Sequence, residues 1–275
     1  MSLLRILRLA AAVAACLAAH AADLPVLPSA HSHNDYEQKR PLQEALDHGF
    51  ASVEADIHLV DGALLVAHDR VQAKAGRTLE SLYLEPLHQR VLRNKGSVHP
   101  GLKRFTLLID VKASPEATYA VLDPLLRRHR DVLTRFTPTQ TYPGAITVIL
   151  SGARPTALVA AQAERFCAID GRPEDLASGV STHLVPMVSE AWNTAFGRLQ
   201  GSPLPEATRS ALHAYVRRAH DQGRVVRFWG APDREWFWKE LQQAGVDYIN
   251  TDRIPDLAAF LRPKPSTEAP SANDR

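Results

Sequence analysis

Short apolar runs recur along this chain, each followed by a stretch with helical spacing, and no other feature constrains its fold as tightly. About eight strand-like runs can be read. They are Leu27 to Ala30, Ala51 to Val60, Phe105 to Lys112, Ala145 to Gly152, Cys167 to Gly171, His183 to Ser189, Arg224 to Gly230 and Val246 to Asn250. Helical stretches fall between them, at Pro41 to His48, from near Pro86 to Asn94, Pro115 to Leu133, Pro155 to Glu164, Leu204 to Gln222 and Asp233 to Gln243. Ile254 to Leu261 closes the series. Pro124 is expected to interrupt the third of these helices locally. Alternation without a break in composition implies a parallel sheet covered by helices. At 275 residues, a single-domain α/β fold closed as a (β/α)8 TIM-type barrel fits better than an open doubly wound sheet. No Gly-x-Gly-x-x-Gly follows the first strand, and there is no phosphate-binding P-loop. In such a barrel, working side chains sit at the C-terminal ends of strands.

The run Ala51 to Asp69 reads as strand, turn, strand. Side chains alternate along a strand, so Glu54 and Asp56 share one face while Val53, Ala55 and Ile57 face the covering layer. Asp61-Gly62 is a hairpin turn pair. The return run Ala63 to Ala67 brings His68 back toward the carboxylates. Taken alone, this stretch is equally well a half-buried strand with a solvated acidic face. The next strand shifts the balance, because Asp110 and Lys112 share a face at its end. Glu54, Asp56 and Asp110 are then three oxygen donors from neighbouring strands, a set suited to one hard divalent cation, Mg²⁺ or Ca²⁺. His31 and His68 flank that set, and an imidazole with a pKa of about 6.5 can both accept and give a proton at neutral pH. A cation, a base, an acid and a lysine suit phosphodiester cleavage. Ser151, Asp170, Arg172, Ser189, Arg227, Trp229 and Asp252 also fall late in their strands or just beyond. Lys112 could be a plain structural partner of a carboxylate, and Trp229 ordinary barrel filling.

These residues, in order, resemble the phospholipase-C-like phosphodiesterases, which include glycerophosphodiester phosphodiesterases, phosphatidylinositol-specific phospholipases C and sphingomyelinase D toxins. The matching blocks are His31, Val53-Glu54-Ala55-Asp56, Ala67-His68-Asp69, Ile109-Asp110-Val111-Lys112, Phe228-Trp229 and Ile249-Asn250-Thr251-Asp252. The block His31-Ser-His-Asn-Asp-Tyr36 is most similar to the altered-inheritance-of-mitochondria branch. The resemblance implies a barrel with His31 and His68 as acid and base, and Glu54, Asp56 and Asp110 as ligands of one cation. It further implies Lys112, Asn34 and Trp229 at the substrate, which would be a glycerophosphodiester or a phospholipid. His33 is the alternative first histidine; the spacing His31-x-x-Asn34 favours His31. Two departures bear on the substrate: His31-Ser-His33 stands where a His-Arg-Gly opening is usual, and Asp110 where a Glu is usual.

Two other readings compete. An amidohydrolase-type metal hydrolase also opens with His-x-His, but needs further histidines at later strand ends. His183 is expected to begin its strand, at the wrong end of the barrel for that purpose. A non-catalytic exported barrel that binds phosphorylated ligands or lipid is the other.

The net charge of +2 and scattered basic residues leave no nucleic-acid footprint. Partners are expected to be a small-molecule or lipid phosphodiester, with peripheral membrane contact allowed. Residues 1–22 read as a secretory signal, with Arg5 and Arg8 before an Ala-rich apolar core, so the chain is expected to be exported, periplasmic or secreted. Val13-Ala-Ala-Cys16 also resembles a lipobox, with Cys16 as the lipidated residue. Residues 263–275 are expected to be a disordered tail, leaving 23–262 as the barrel.

Overall fold

The computed structural model describes residues 25–199 and 201–262. The signal segment, Cys16 and the 263–275 tail lie outside the described residues. Eleven strands are present among the described residues: β1 (Leu27–Ser32), β2 (Phe50–Val60), β3 (Ala63–Val66), β4 (Phe105–Val111), β5 (Arg135–Phe136), β6 (Thr141–Tyr142), β7 (Ile146–Gly152), β8 (Ala168–Gly171), β9 (Met187–Ala191), β10 (Val225–Trp229) and β11 (Tyr248–Thr251). The α-helices are α1 (Gln43–Asp47), α2 (Glu85–Arg93), α3 (Pro115–Arg128), α4 (Thr156–Ala161), α5 (Trp192–Phe196), α6 (Glu206–His220), α7 (Glu235–Ala244) and α8 (Ile254–Leu261). None of the described helices is long and apolar enough to cross a membrane.

Strands β1, β11, β10, β9, β8, β7, β4 and β2 pair in that order, and β2 returns to β1, so the sheet closes as an eight-stranded barrel. Every pairing within that ring is parallel. β3 lies outside the ring, antiparallel to the end of β2 through the pairs Ile57–Val66 to Val60–Ala63. The turn between them takes Asp61 and Gly62 to φ of 48° and 78°, which is why Asp-Gly serves there.

Alternation within the strands divides the core in two. Val53, Ala55, Ile57, Leu107, Ile109 and Val111 face outward and pack under the helices. Leu108, Ile149, Ala168 and Met187 join Phe136 in a separate cluster that fills the barrel, with Tyr248 and Val225 against it. This apolar plug closes the N-terminal half of the barrel. Polar side chains from the same faces, two residues further along each strand, crowd the C-terminal half.

Three expectations shift. The strand expected at His183 to Ser189 is β9, and it starts only at Met187, because Pro186 has no N–H to donate to a ladder. His183 lies in the preceding turn, beside the Thr141 hydroxyl at 2.9 Å. The helix expected to reach Leu133 is α3, which ends at Arg128; Leu133 instead bridges to Ile146. Helix α3 also runs through Pro124, on an exposed face where water can take the carbonyl it frees. Between β8 and β9 only a 3₁₀ turn, Pro173–Leu176, stands where a full helix would be regular. Pro86 falls in the first turn of α2, which a wider π-turn over Glu80–Leu84 leads into.

Candidate active site

The parallel register sets the site. Asp56 pairs with Asp110 and Asp110 with Ser151 across adjacent strands, so their side chains emerge at one level. Glu54 lies two residues deeper. Carboxylate oxygens of Glu54, Asp56 and Asp110 all fall within 4.8 Å of one another. Above them opens a cleft of about 440 Å³, whose lining includes His33, His68, Lys112, Arg172, Arg227 and Trp229. That is room for a small-molecule headgroup. Asn34, Glu54, Asp110, Ser151 and Gly152 also reach it.

Each carboxylate has its own compensation. Burial alone would raise the Glu54 carboxyl. The Arg227 guanidinium, 2.5 Å away, outweighs that and, with a hydrogen bond from His31, holds Glu54 well below the usual carboxylate range. Arg227 is in turn fixed by Asn250, to which its Nε donates at 2.7 Å. Asp56 is 1% exposed. Its Oδ2 accepts from the Tyr36 hydroxyl at 2.6 Å and pairs with Lys112 Nζ at 2.6 Å. Its Oδ1 is buried with no partner among the described residues. Burial raises the Asp56 pKa, and the Glu54 charge adds to it against the pull of Lys112. Burial, then the negative charge of Asp56, pushes Asp110 up to about 6. Lys112 stands 3.7 Å from Asp110. At β7's end, Gly152 has φ 68°, and a Cβ there would overlap Asp110 Oδ1 and the Val111 carbonyl. The glycine thus leaves space for that carboxylate.

The residues fit a divalent cation. An orphaned, buried carboxylate oxygen beside two further carboxylates is a costly arrangement unless a cation shares it. The donors are all oxygen, as Mg²⁺ or Ca²⁺ requires.

His68 stands at the rim with Nδ1 at 3.2 Å from both Asp56 Oδ2 and the Tyr36 hydroxyl. His58 steadies its backbone, with Nε2 3.1 Å from the His68 carbonyl. His33 faces the cleft, with Nδ1 2.8 Å from Asp252 Oδ1 and 3.0 Å from Asn34 Nδ2. Burial works against protonation of His33, but Asp252 and Glu54 outweigh it and raise its pKa. His31 lies a layer lower and is 1% exposed. Its Nδ1 meets the Ser52 hydroxyl at 2.7 Å and its Nε2 lies 3.4 Å from Glu54. Burial, then the charge of Arg227, lowers its pKa to about 4. His33 therefore reaches the cleft, and His31 supports Glu54 from beneath.

Asn34 has φ 46°; its amide lies against His33 and Asp252, and its carbonyl accepts from Tyr36. Trp229 is 40% exposed at the mouth. Across the cleft, buried Asp170 gathers Ser151, Ser189 and Arg172. Among the described residues that line the cleft, the later strands β7 to β10 contribute no histidine, so the donor set of an amidohydrolase-type centre is not assembled. Tyr36 is the one central side chain that sequence reasoning passed over. It lies in a 3₁₀ turn (Asp35–Glu37), so no strand alternation marks it, and its place in the block His31 to Tyr36 is the only signal it carries.

Clustered carboxylates and imidazoles thus stand at the C-terminal mouth of a closed parallel barrel, where the working side chains of this architecture sit. Residues 22–170 match the AIM6-like phosphodiesterase domain model, and residues 225–254 match that of the glycerophosphoryl diester phosphodiesterase family. The chain belongs to the AIM6-like phosphodiesterase domain family. Altered inheritance of mitochondria protein 6 of Eremothecium gossypii is 30% identical, over 86% of this chain and 70% of that protein. The homolog from Arthroderma benhamiae is 29% identical, over 82% and 81%. The fold is shared with a calcium-dependent phosphoinositol-specific phospholipase C from a Pseudomonas species (TM-score 0.53, 14% identity, 82% of this chain and 88% of that one). It is shared equally with a glycerophosphodiester phosphodiesterase from Agrobacterium tumefaciens (TM-score 0.53, 15% identity, 85% and 99%).

Proposed function

We propose that this chain is a metal-dependent phosphoric diester hydrolase acting on a glycerophosphodiester or phospholipid-type substrate, with His33 and His68 as its acid–base pair. One observation carries the reading: two imidazoles flank a triad of carboxylates in one cleft, and each imidazole is held by its own carboxylate, His33 by Asp252 and His68 by Asp56. Glu54, Asp56 and Asp110 would hold one divalent cation, which when bound supplies positive charge to a phosphoryl oxygen. One histidine takes the proton of the attacking water or substrate hydroxyl, and the other returns a proton to the departing oxygen. Lys112 faces the charge that develops on phosphorus. His31, sealed below, is a positioning residue for Glu54. The phospholipase and glycerophosphodiesterase neighbours supply the substrate classes to try. Trp229 at the mouth and Val71, 93% exposed, support brief contact with a lipid surface. The N-terminal segment supports export, which the mass of the secreted chain would test.

The decisive assay is turnover of bis-p-nitrophenyl phosphate with Mg²⁺ and with Ca²⁺. His33→Ala and His68→Ala should each lower kcat by roughly 100-fold or more. Turnover that survives the double change would sink the acid–base assignment. A silent His33→Ala beside a folded but inactive His31→Gln would return the role to His31. No wild-type turnover on any diester would favour the binding-only barrel. Product masses from glycerophosphodiesters, phosphatidylinositol, lysolipids and sphingomyelin would then give the headgroup and separate hydrolysis from cyclisation.

A further inference from the structure

We propose that Glu85, His88 and His129 form a second metal site, on the helical shell outside the cleft, that takes a zinc-class divalent cation. Glu85 and His88 lie three residues apart on α2 and so share one helical face. His129 follows directly after α3. Their ligand atoms lie within 4.8 Å of one another, and none of the three lines the catalytic cleft.

The carboxylates around the two imidazoles fix where their hydrogens go. His88 Nε2 is 2.9 Å from Asp131 Oδ2. A carboxylate only accepts, so His88 carries its hydrogen on Nε2. His88 Nδ1 then offers a lone pair, and it faces His129 Nδ1 at 3.0 Å. His129 is 4% exposed, and its Nε2 has no hydrogen-bond partner among the described residues. The Glu80 carboxylate stands beyond it, with Oε1 3.6 Å away. That charge draws the His129 hydrogen to Nε2, which leaves a second lone pair on Nδ1 directed at the first. Two lone pairs at this distance repel unless an acid sits between them. The other tautomer gives a plain His129-to-His88 hydrogen bond, but turns a buried lone pair toward the Glu80 carboxylate.

Imidazoles whose remote N–H is steered by a carboxylate are the usual arrangement at metal sites. Two nitrogens on one tetrahedral zinc, at about 2.05 Å each, stand about 3.3 Å apart. The pair needs to open by only a few tenths of an ångström. The rings meet nearly edge-on, at 73°, as two ligands of one ion can. Glu85 supplies the third donor, and Gln89 Nε2 holds its Oε1 at 2.9 Å. Water can take the fourth position. Imidazole with carboxylate suits zinc-class ions and not Mg²⁺. Bound metal ties α2, which follows the β2–β3 hairpin, to the end of α3, which follows β4.

The test uses the untagged whole chain, stripped by chelator and held in excess Mg²⁺ so that the carboxylate triad is saturated. Co²⁺ titration should give the intense visible absorption of tetrahedral cobalt at one equivalent, displaced by Zn²⁺. His88→Gln should weaken Co²⁺ binding roughly 100-fold or more, and Glu85→Gln about tenfold. Asp56→Asn should leave the spectrum unchanged. Three results overturn the proposal: no tetrahedral bands, which leaves a His–His hydrogen bond only; bands that survive His88→Gln; or bands lost with Asp56→Asn. If His88→Gln fails to fold by circular dichroism, Glu85→Gln, an exposed position, decides the matter through the same titration.

Discussion

His31 carries a pH dependence that its position dictates. In the unfolded chain an imidazole takes its proton near pH 6.5, whereas the buried ring stays neutral down to about pH 4. Between those values the unfolded state binds more protons, so stability falls as pH falls through the window and is fully present above it. The shift is worth about 3 kcal/mol at most. Asp35 and Asp110, both pushed up to about 6, act with the opposite sign, because the folded chain keeps their protons longer. A difference measurement separates them. The wild-type unfolding free energy should drop between pH 7 and pH 4.5 by more than that of His31→Gln, whatever the variant loses at pH 7. Equal slopes would mean that His31 is not held neutral. The same residue marks where sequence reasoning stops. His31 and His33 share a face by period two, and the spacing His31-x-x-Asn34 that favoured His31 does not say which of them clears the rim. Depth along the barrel depends on the stagger of neighbouring strands, here His31 level with Ser52 and Asn250, which is a property of the closed sheet.

At the scale of elements, the end of β7 shapes the centre as much as the carboxylates do. Gly223 and Gly152 both have positive φ, 72° and 68°, so alanine at either costs about 1 kcal/mol in backbone strain. Only at Gly152 does a Cβ also collide, with Asp110 and the β4 backbone. Gly152→Ala should therefore lose roughly 2–4 kcal/mol and shift Asp110, with metal affinity falling about tenfold. Gly223→Ala should lose only the strain and keep the affinity. Unfolding curves and Mg²⁺ titrations of the two variants check this, and equal metal affinity in both would remove Gly152 from the site. The elements themselves were largely legible. Period-two alternation in β2 and β4, the Asp61-Gly62 turn and the repeated strand–helix order are local signals, and they gave the barrel and its carboxylate strands. The end of α3, the β5–β6 pair and α5 were not legible, because Leu133 and Trp192 are decided by partners distant in sequence; the late start of β9 is different, since Pro186 itself carries the local signal.

The barrel as a whole gathers like charges that its own cations only partly offset, and that sets how it should respond to metal. Lys112 and Arg227 are shared among three buried or half-buried carboxylates, and Asp56 Oδ1 meets no donor among the described residues. At neutral pH the metal-free fold therefore keeps Asp110 ionised above its raised pKa, at a cost on the order of 1–3 kcal/mol. A cation bound only by the folded chain stabilises it by about 2.7 kcal/mol at a hundredfold excess over Kd, or roughly 5–10 °C in Tm for a barrel of this size. Asp110→Asn should act in both directions. Without metal its Tm should lie above that of the wild type, since the repulsion is gone; with Mg²⁺ or Ca²⁺ it should rise less, since a ligand is gone. Melts of both proteins with chelator and with saturating cation give the four values needed. A metal-free Asp110→Asn that melts below the wild type, together with an unchanged response to both cations, would mean that Lys112 and Arg227 already balance the cluster and that no cation belongs there.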